Sequence, residues 1–490
     1  MSVKPDNPEN QPFSKDVQYV PTFNGTATPA QIATAAGAVG LETVDLEAPF
    51  RYLDIGCGRG ITLLTLATAY PSSEFIGIDY NPDHIAEAQA RAERCKLGNV
   101  SFRCAAFDAP DLSDIAPVDF AVAFGIFSWV AETQQEQVGE LFRRLVKPDG
   151  LVAVSYNTQA GGAQLLPIRA LLQSWVAGSS SPPLLARVEA LNRMMKLRAQ
   201  DIPFFEASPV ARSFVDSWAD EDPRYVVHEI LGESWNLFTV SDIAGRLRRH
   251  GFHFLGDRTA MLDAGSITEE CSDAAMAEDL VTFANMRPFR TDIFSRRQPP
   301  DTIVPRFPET TRFGPAWPME TTTMSEQAKR PTLAGKLLSL TASEPLAWSE
   351  ILASQLGRDT SPQQIAAALR QAMTTWTMTR LDGPIDVVKS PTDAFRLAHP
   401  FGVEMLSSDD LRRMDPALPS RRHGGAVRIP PLIARMIDAG ARGLAVHEWA
   451  SYVAGEGNRE DFEVADRASS QVLEVWVPFL IEAGVLTPLE

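Results

Sequence analysis

Residues 51–62 form the stretch RYLDIGCGRGIT, in which a strand-like run is followed by three alternating glycines, Gly56, Gly58 and Gly60. A glycine-rich turn directly after a strand lets the backbone approach a nucleotide-like ligand closely. The dinucleotide-binding pattern is G-x-G-x-x-G, whereas the third glycine here comes one position earlier. Asp54, which precedes the glycines, would repel a pyrophosphate and attract a cation. The stretch therefore predicts a nucleotide-like ligand that carries a positive charge.

The segments around this turn alternate between strand and helix patterns. The segments RYLDIG, EFIGIDY, VSFRCAAFD, VDFAVAFGIF and GLVAVSYN have the apolar character of buried strands, and helical segments separate most of them. This alternation predicts an α/β fold with a doubly wound, mostly parallel sheet over about 45–165. Open sheets of this kind bind ligands at the carboxyl ends of their strands.

Carboxylates also close the next two strands. Asp79 ends FIGIDY, where an acid can accept hydrogen bonds from both ribose hydroxyls, and Asp108 ends FRCAAFD, where it could accept from an adenine amine. A cationic amino acid, a ribose and an adenine together describe S-adenosyl-L-methionine, so we expect this cofactor. The cofactor-binding residues predicted at this edge are Asp54, Gly56, Cys57, Gly58, Gly60, Asp79, Tyr80, Phe107, Asp108 and Gly125.

The stretch over about 50–157 resembles the class I S-adenosylmethionine-dependent methyltransferases. In that family the acid and glycine loop holds the methionine part of the cofactor. The acid after the second strand holds the ribose, and the acid after the third strand holds the adenine. The resemblance therefore implies these three roles for Asp54 with the glycines, for Asp79 and for Asp108.

Further stretches are similar to methyltransferases that carry a methyltransferase regulatory domain. They are GIFSWV (125–130), SYNTQAGG (155–162), YVVHEILGESWNLFTVSDI (225–243) and FANMRPFRTDIF (283–294). This group includes bacterial protein-lysine methyltransferases that act on rickettsial outer-membrane protein. The resemblance implies a Rossmann-like catalytic domain, a helical middle region that helps to form a homodimer, and a C-terminal domain near an open active site. Where relatives commonly offer a Gln before Thr-x-Pro, this sequence has NGTATP (24–29), which departs from the pattern.

Composition changes along the chain predict its division into parts. We expect a disordered lead at 1–18, the cofactor-binding methyltransferase domain at 19–165 and a helical middle region at 166–297. The Pro-rich segment 298–324 predicts an extended linker. The remainder, 325–490, shows two successive patterns of three helices followed by an extended tail. These patterns predict a mostly α-helical, winged-helix-like domain that arose by duplication.

The formal net charge of −17 over 490 residues bears on the partners. Phosphate backbones are bound by clusters of Lys and Arg, so this charge argues against nucleic acid. It suits a Lys-rich or unfolded protein segment, or a small cation. The sequence has no apolar run of about 18 residues for a membrane span and no signal-peptide pattern. Four cysteines without C-x-x-C spacing are typical of a reduced, cytoplasmic protein.

Residues that follow the fourth and fifth strands are expected to face the reacting methyl group. Phe127 and Trp129 follow the fourth strand, and Tyr156 and Asn157 end the fifth. An aromatic face stabilises a cation, and an Asn side chain can accept a hydrogen bond from an amine. We therefore predict that Tyr156, Asn157 and Trp129 place the acceptor. For Phe127 and Trp129, a place in the core is an equal alternative.

Other chemistries have less support in the sequence. The pair His228-Glu229 and the H-x-x-H at 250–253 lack a helical arrangement of metal ligands, so we expect no metal. Ser128 and Ser155 lack the G-x-S-x-G setting of a hydrolase. The fourth strand is not followed by D/N-P-P-Y/F, which argues against a DNA amino-methyltransferase.

Three functions remain open from the sequence. The first is N-methylation of lysine side chains on a protein, with the C-terminal domain as a protein-contact module. The second is methylation of a small molecule in specialised metabolism or surface-glycan synthesis. The third is a regulatory protein that binds the cofactor without catalysis.

Overall fold

The computed structural model describes residues 20, 22–219, 221–232, 234–257, 271, 273–316, 319, 321–374, 378–381, 395–397, 405, 417–420, 425–442, 444, 446–454, 468–469, 472–482 and 485–488. The lead expected at 1–18 lies outside these residues.

A seven-stranded mixed sheet organises the amino-terminal part of the chain, in the order β3-β2-β1-β4-β5-β7-β6. Strands β1 to β5 are parallel to one another, whereas β7 is antiparallel to both β5 and β6. This sheet fits the Rossmann-like α/β domain that the sequence predicts. In chain order the strands are β1 (Arg51–Ile55), β2 (Glu74–Asp79), β3 (Val100–Cys104), β4 (Val118–Ala123), β5 (Val146–Asn157), β6 (His253–Asp257) and β7 (Phe289–Ser295).

Helices cover both faces of this sheet and continue beyond it. Up to residue 374 they are α1 (Pro29–Ala38), α2 (Ile61–Ala69), α3 (Pro82–Arg94), α4 (Glu132–Leu145), α5 (Gln159–Gly162), α6 (Leu166–Ala177), α7 (Pro183–Arg198), α8 (Pro203–Ala207), α9 (Pro209–Ser217), α10 (Pro223–Leu231), α11 (Val240–Arg249), α12 (Ala274–Ala284), α13 (Thr322–Ala328), α14 (Leu333–Leu340), α15 (Trp348–Ala353), α16 (Gln355–Asp359) and α17 (Pro362–Thr374). Side chains of α1, α2 and α3 form the core on one face of the sheet. Side chains of α4 and α11 form the core on the other face. Helices α6 to α10 enclose a separate core.

The sheet continues past residue 165, where the sequence predicts that the methyltransferase domain ends. Strand β7 pairs with β5 from Leu151 to Asn157, and β6 adds the last strand. The middle region expected to be helical therefore also supplies two strands of the central sheet. The third strand ends at Cys104, so Asp108 lies on the loop after it rather than at its end.

A buried polar network joins β5, β7 and α12. The Tyr156 hydroxyl donates a hydrogen bond to Asp292 Oδ2. Arg290 binds Asp292 Oδ1 through Nε at 3.0 Å and Nη2 at 2.7 Å. Its Nη1 reaches Glu278 Oε2 at 2.9 Å and Thr282 Oγ1 at 2.7 Å on α12. Burial, and then the charge of Asp292, raise the pKa of Tyr156 well above its usual value, so the phenol remains a donor.

The segment expected to be an extended linker lies against α1. Arg306 N donates a hydrogen bond to Gly37 O at 2.8 Å, and a side chain at Gly37 would begin 2.4 Å from Arg306 O. A three-stranded antiparallel sheet follows, with β8 (Arg312–Pro315) between β9 (Leu346–Ala347) and β10 (Met378–Leu381). Its Phe313 packs with side chains of α14, α15 and α17.

The remaining carboxyl-terminal elements pack against α2. They comprise a two-stranded pair, β12 (Ala417–Ser420) and β13 (Gly425–Arg428), and a second pair, β11 (Phe395–Leu397) and β14 (Leu486–Pro488). Helical segments lie at Pro431–Ala441, Val446–Ala454, Val472–Trp476 and Val477–Glu482. Their buried side chains share one core with α2, the helix that begins directly after the glycine loop. Within the described residues, no helix has both the length and the apolar character required to cross a membrane.

Substitution of Tyr156 by Phe tests the structural role of this residue. The change removes the donor to Asp292, which would leave one oxygen of a buried carboxylate unsatisfied. We expect the free energy of unfolding to fall by about 1–3 kcal/mol, measured by denaturant titration. Calorimetry should show unchanged affinity for the expected cofactor, because the phenol hydroxyl binds Asp292 of β7 and not the glycine loop. An unchanged free energy of unfolding would contradict this role.

Candidate active site

The glycine loop after β1 is fixed by hydrogen bonds to β2. Gly56 N and Cys57 N donate to the same carbonyl oxygen, that of Ile78, at 2.7 and 3.0 Å. Gly58 N donates to Asp79 Oδ2 at 2.9 Å. Cys57 is half-buried, and burial raises the pKa of its thiol well above the usual value, so the side chain is neutral. The loop therefore takes its shape from backbone contacts at the end of β2.

Arg59, within the loop, is directed away from the opening. It is 7% exposed and forms an ion pair with Glu87 of α3, with 2.5 Å between Nη2 and Oε1. Arg91 binds the same oxygen at 2.7 Å. Burial acts to raise the pKa of Glu87, but the hydrogen bonds from both arginines outweigh it and lower the pKa. The positive charge of Arg59 is thus neutralised at α3 and not at the ligand edge.

Two kinds of glycine occur at this edge. Gly60 has a φ of +74°, and a side chain there would begin 2.6 Å from the Phe102 ring, so both backbone and packing require glycine. At Gly58 and at Gly125, which follows β4, a side chain would meet nothing within 4 Å. These two positions border open space in which a ligand can lie against the backbone.

Two buried carboxylates face each other near this space. Asp54 is 4% exposed and Asp79 is 7% exposed. Burial, and then the charge of Asp79, raise the pKa of Asp54 to about 7. Asp79 accepts hydrogen bonds from Gly58 N and Asn81 N, both at 2.9 Å, and His84 Nδ1 lies 3.7 Å from its Oδ1. Among the described side chains, no Lys or Arg pairs with either carboxylate, so the pair favours a cationic ligand.

The other predicted cofactor residues lie further along the same edge. Tyr80 is half-buried directly after β2, and Phe107 is buried on the loop after β3. Asp108 is exposed, and its Oδ2 accepts a hydrogen bond from Gln137 Nε2 of α4 at 3.0 Å. The role of Asp108 toward an adenine amine stays a prediction.

Two serines tie the loop after β4 to β5. Ser155 Oγ accepts a hydrogen bond from Gly125 N, and Ser128 Oγ accepts one from Asn157 N, both at 2.7 Å. Both serines are fully buried. The sequence analysis considered these serines only as nucleophiles of a hydrolase and argued against that role. The sequence did contain a signal for these cross-links. Ser155 interrupts the apolar fifth strand, and Ser128 lies in the turn after the fourth strand.

Tyr156 and Asn157 lie on opposite faces of β5. Tyr156 is fully buried in the core with Phe238 and Phe294, whereas Asn157 lies 8% exposed at the strand end. Successive side chains of a strand point to opposite faces, so the two residues cannot both contact the acceptor. The structure removes Tyr156 from the role predicted for it. No described residue hydrogen-bonds to the Asn157 side-chain amide, which remains a candidate for acceptor binding.

The aromatic residues after β4 also differ from each other. Phe127 is fully buried in the core, which is the alternative that the sequence left open. Trp129 is 4% exposed, and a side chain at Gly232 would lie 3.4 Å from its Cδ1. The sequence did not indicate the half-buried pair Phe124 and Phe289, whose ring centroids are 5.7 Å apart at the same edge. Phe289 reaches this edge because β7 runs antiparallel to β5.

The segment after α10 forms a wall beside Trp129, on the side of the site where the sequence predicts the acceptor. Arg169 of α6 donates through Nη1 to Ile230 O and through Nη2 to Gly232 O, both at 2.5 Å. Asn236 N donates to Ser128 O at 2.7 Å. These bonds satisfy carbonyls at the end of α10 and fix the segment beside Trp129. Sequence reasoning did not identify Arg169 or Asn236, because their partners are distant in the chain.

The amino-terminal segment approaches the cofactor side. Asn24 N donates a hydrogen bond to Thr62 Oγ1 at 2.9 Å, in the first turn of α2. Thr28 caps α1 by accepting a hydrogen bond from Gln31 N at 3.3 Å. The stretch 24–29, which departs from the pattern of relatives, therefore lies next to the glycine loop.

The residues present fit S-adenosyl-L-methionine. Open space borders Gly58 and Gly125, and the buried carboxylates beside it suit an ammonium group and a ribose. The described residues contain no group of three or more His, Cys, Asp or Glu that could hold a metal ion. Fold and site together define a class I S-adenosylmethionine-dependent methyltransferase.

Comparisons with known proteins agree with this class. The family "Methyltransferase domain" matches residues 53–150, and the family "Predicted methyltransferase regulatory domain" matches residues 222–296. An uncharacterized protein of Rickettsia prowazekii is 30% identical over 223 residues, which are 44% of this chain and 86% of that protein. The chain therefore belongs to the S-adenosylmethionine-dependent methyltransferases that carry a methyltransferase regulatory domain.

Two further comparisons concern the length of the chain. An uncharacterized protein of Synechocystis is 30% identical over 297 residues, so the match spans 59% of this chain but only 58% of that relative. The structure of PKMT2 from Rickettsia typhi in complex with AdoHcy superimposes with a TM-score of 0.69 at 17% identity. That superposition covers 96% of this chain and 99% of PKMT2, so the two share their fold over nearly their whole length.

Replacement of Asp79 by Ala should weaken binding of S-adenosyl-L-methionine. The carboxylate shapes the loop at Gly58 and is placed to bind the ribose, and charge-assisted hydrogen bonds contribute about 1.5–3 kcal/mol. We expect the dissociation constant measured by calorimetry to rise about ten- to a hundredfold. Asp83→Ala is the matched control, because Asp83 is an exposed acid in the first turn of α3. Equal affinities for both variants would overturn the assignment.

The raised pKa of Asp54 predicts that cofactor binding depends on pH. The cofactor's ammonium group binds the ionised carboxylate, and below a pKa of about 7 that carboxyl must first lose a proton. The affinity should therefore fall as pH decreases, by up to about tenfold per pH unit below this pKa. Asp54→Asn should bind more weakly at neutral pH, with a flat profile. A flat profile for the wild-type protein would refute the coupling.

Proposed function

We propose that this protein transfers a methyl group from S-adenosyl-L-methionine to the ε-amine of lysine side chains on a protein acceptor. The observation that carries the proposal is the fold shared with PKMT2 over 96% of the chain, including the middle and carboxyl-terminal parts. The motif resemblance to bacterial protein-lysine methyltransferases supports the same acceptor. A net charge of −17 suits Lys-rich, unfolded segments, which it attracts at low ionic strength.

Cofactor binding is proposed for the residues at the carboxyl edge of β1 to β4. Asp54 binds the ammonium group, and Gly58 and Gly125 let the backbone approach the ligand. Asp79 binds the ribose, and Asp108 binds the adenine amine. The remaining proposed contacts come from Gly56, Cys57, Gly60, Tyr80 and Phe107.

When bound, S-adenosyl-L-methionine supplies a methyl group with an already activated leaving group. The protein must then align and dehydrate the acceptor amine. The Asn157 amide oxygen accepts a hydrogen bond from the amine and orients its lone pair. The wall next to Trp129 excludes water, which lowers the pKa of a lysine from its usual value of about 10.4. A larger neutral fraction of the amine is thereby available for attack.

Further parts of the proposal concern the organisation of the chain. We place the catalytic domain at 19–165 with β6 and β7 added, and a homodimer contact in the helical region 166–297. Exposed leucines on α6 and α7 support such a contact. We also propose that 325–490 holds two winged-helix-like units that contact the acceptor protein. The two successive sequence patterns of three helices and an extended tail support this duplication.

Methylation of a small molecule is the alternative function. Trans-aconitate 2-methyltransferase of Methylobacterium radiotolerans is 28% identical over 180 residues, which are 36% of this chain. A match of this extent is long enough for the cofactor-binding part but leaves most of the chain unmatched. It therefore supports the transfer chemistry more than a small acceptor.

Label transfer from tritiated S-adenosyl-L-methionine tests the proposal. The enzyme is incubated in parallel with unfolded Lys-rich proteins and with pools of small metabolites. We expect label on lysine in the protein fraction, identified by mass spectrometry. Asn157→Ala should lower turnover more than cofactor affinity, whereas Asn192→Ala, at an exposed position on α7, should change neither. Label found solely in small molecules would eliminate the protein acceptor.

A further inference from the structure

An aromatic pair, Phe124 and Phe289, lies at the carboxyl edge of the sheet next to the candidate cofactor residues. Phe124 directly follows β4, and Phe289 is the first residue of β7. Their ring centroids are 5.7 Å apart, and the ring planes are inclined by 64°. Both side chains are half-buried, whereas the phenylalanines inside the same strands, Phe120 and Phe294, are fully buried. The pair therefore keeps part of its ring surface open at the strand ends.

Strand alternation shows which face of the sheet these rings occupy. Phe124 packs against the core that α1, α2 and α3 form on one face. Ala153 of β5 belongs to the same core, so Asn157, four residues further along the strand, points to this face too. Phe289 pairs directly with Asn157, and directly opposed residues of antiparallel strands share a face. The two rings and the Asn157 amide therefore lie on one face of the sheet.

The carboxylate proposed to bind the cofactor's ammonium group lies on this face as well. The residues on either side of Asp54 in β1 belong to the core of the opposite face, so Asp54 is directed to the face of the rings. Strands β1, β4, β5 and β7 are successive neighbours in the sheet, at spacings of about 4.7–4.9 Å. Asp54, Phe124, Asn157 and Phe289 therefore form one row across four adjacent strands.

The turn after β4 leaves open space beside this row. Gly125, which follows Phe124, has a φ of +67°, and a side chain there would meet nothing within 4 Å. A side chain at Gly56 would collide with Ile126, so this turn lies directly beside the glycine loop. The rings are thus next to the part of the loop where the methionine end of the cofactor is proposed to bind.

We propose that Phe124 and Phe289 form a subsite for the alkyl-ammonium end of the acceptor, with Asn157 beside it. This inference rests on the proposed function for the identity of the acceptor as lysine. The faces of aromatic rings carry negative partial charge and attract a cation, and their apolar surface suits the methylene chain that bears it. The subsite therefore selects an alkylamine over a hydroxyl or a carboxylate on a chain of the same length.

A binding experiment with small probes tests the subsite without turnover. n-Butylammonium reproduces the lysine side chain, and 1-butanol is a neutral probe of the same length. The full-length protein, saturated with S-adenosylhomocysteine, is titrated with each probe at neutral pH and followed by ligand-observed NMR. A salt concentration of about 0.15 M screens general attraction to the acidic surface. Wild-type protein should bind n-butylammonium about two- to thirtyfold more tightly than 1-butanol.

Substitutions of the two rings give the decisive comparison. Phe124→Leu and Phe289→Leu keep an apolar side chain but remove a ring face, so each should lose most of the preference for n-butylammonium. Phe289→Tyr keeps the ring and should keep the preference. Phe283→Leu is the matched control, because Phe283 on α12 is 73% exposed and lies outside the row. Affinity for S-adenosylhomocysteine should be the same in all four variants as in wild type.

The possible outcomes separate the subsite from the proposed function. Equal preference in wild type and both leucine variants would overturn the inference, as would a loss in Phe289→Tyr as large as in Phe289→Leu. If wild-type protein labels lysine in proteins but binds both probes equally, the inference fails while the proposed function stands. If label enters small molecules alone, the lysine acceptor is eliminated, whereas a preference for n-butylammonium that depends on the rings would still support the subsite.

Discussion

Repulsion between two buried carboxylates is the constraint around which the cofactor site is built. Asp54 and Asp79 are placed together because parallel neighbouring strands end at the same edge. Backbone N–H groups stabilise Asp79, while Asp54 keeps a pKa of about 7. The cation of the loop, Arg59, is bound by Glu87 on α3. The negative potential of Asp54 and Asp79 is therefore not neutralised by Arg59 and remains available to a cationic ligand.

The antiparallel strand β7 extends this edge to the acceptor side. Because β7 runs against β5, its first residue, Phe289, lies opposite Asn157. The network of Tyr156, Asp292 and Arg290 fixes this pairing from the opposite face of the sheet. The carboxyl-terminal region contributes as well, through packing against α2 and through α17 next to β6. The surroundings of the cofactor site therefore include elements from distant parts of the described chain, which a match to the cofactor domain alone does not capture.

Local patterns predicted the cofactor side well because its residues are close in sequence. The glycine loop, the strand that precedes it and the acid at the end of the next strand lie within one β-α-β unit. The acceptor side depends on pairings between distant segments, such as β5 with β7 and Arg169 with the end of α10. Neither pairing has a local signal. Neighbouring residues of a strand point to opposite faces, so the sequence alone implied that Tyr156 and Asn157 point in opposite directions. The prediction that placed both residues at the acceptor did not take this alternation into account.

Transfer to an amine brings two cations together, since the donor is a sulfonium and the free acceptor is an ammonium. Their repulsion opposes assembly of the reacting pair, and removal of water strengthens it. The acids at the carboxyl edge reduce this cost while the cofactor enters. Asp54, with a pKa of about 7, gains charge when the ammonium group of the cofactor arrives and can return to the neutral form afterwards. For the lysine acceptor proposed above, dehydration next to Trp129 then favours the neutral amine that reacts.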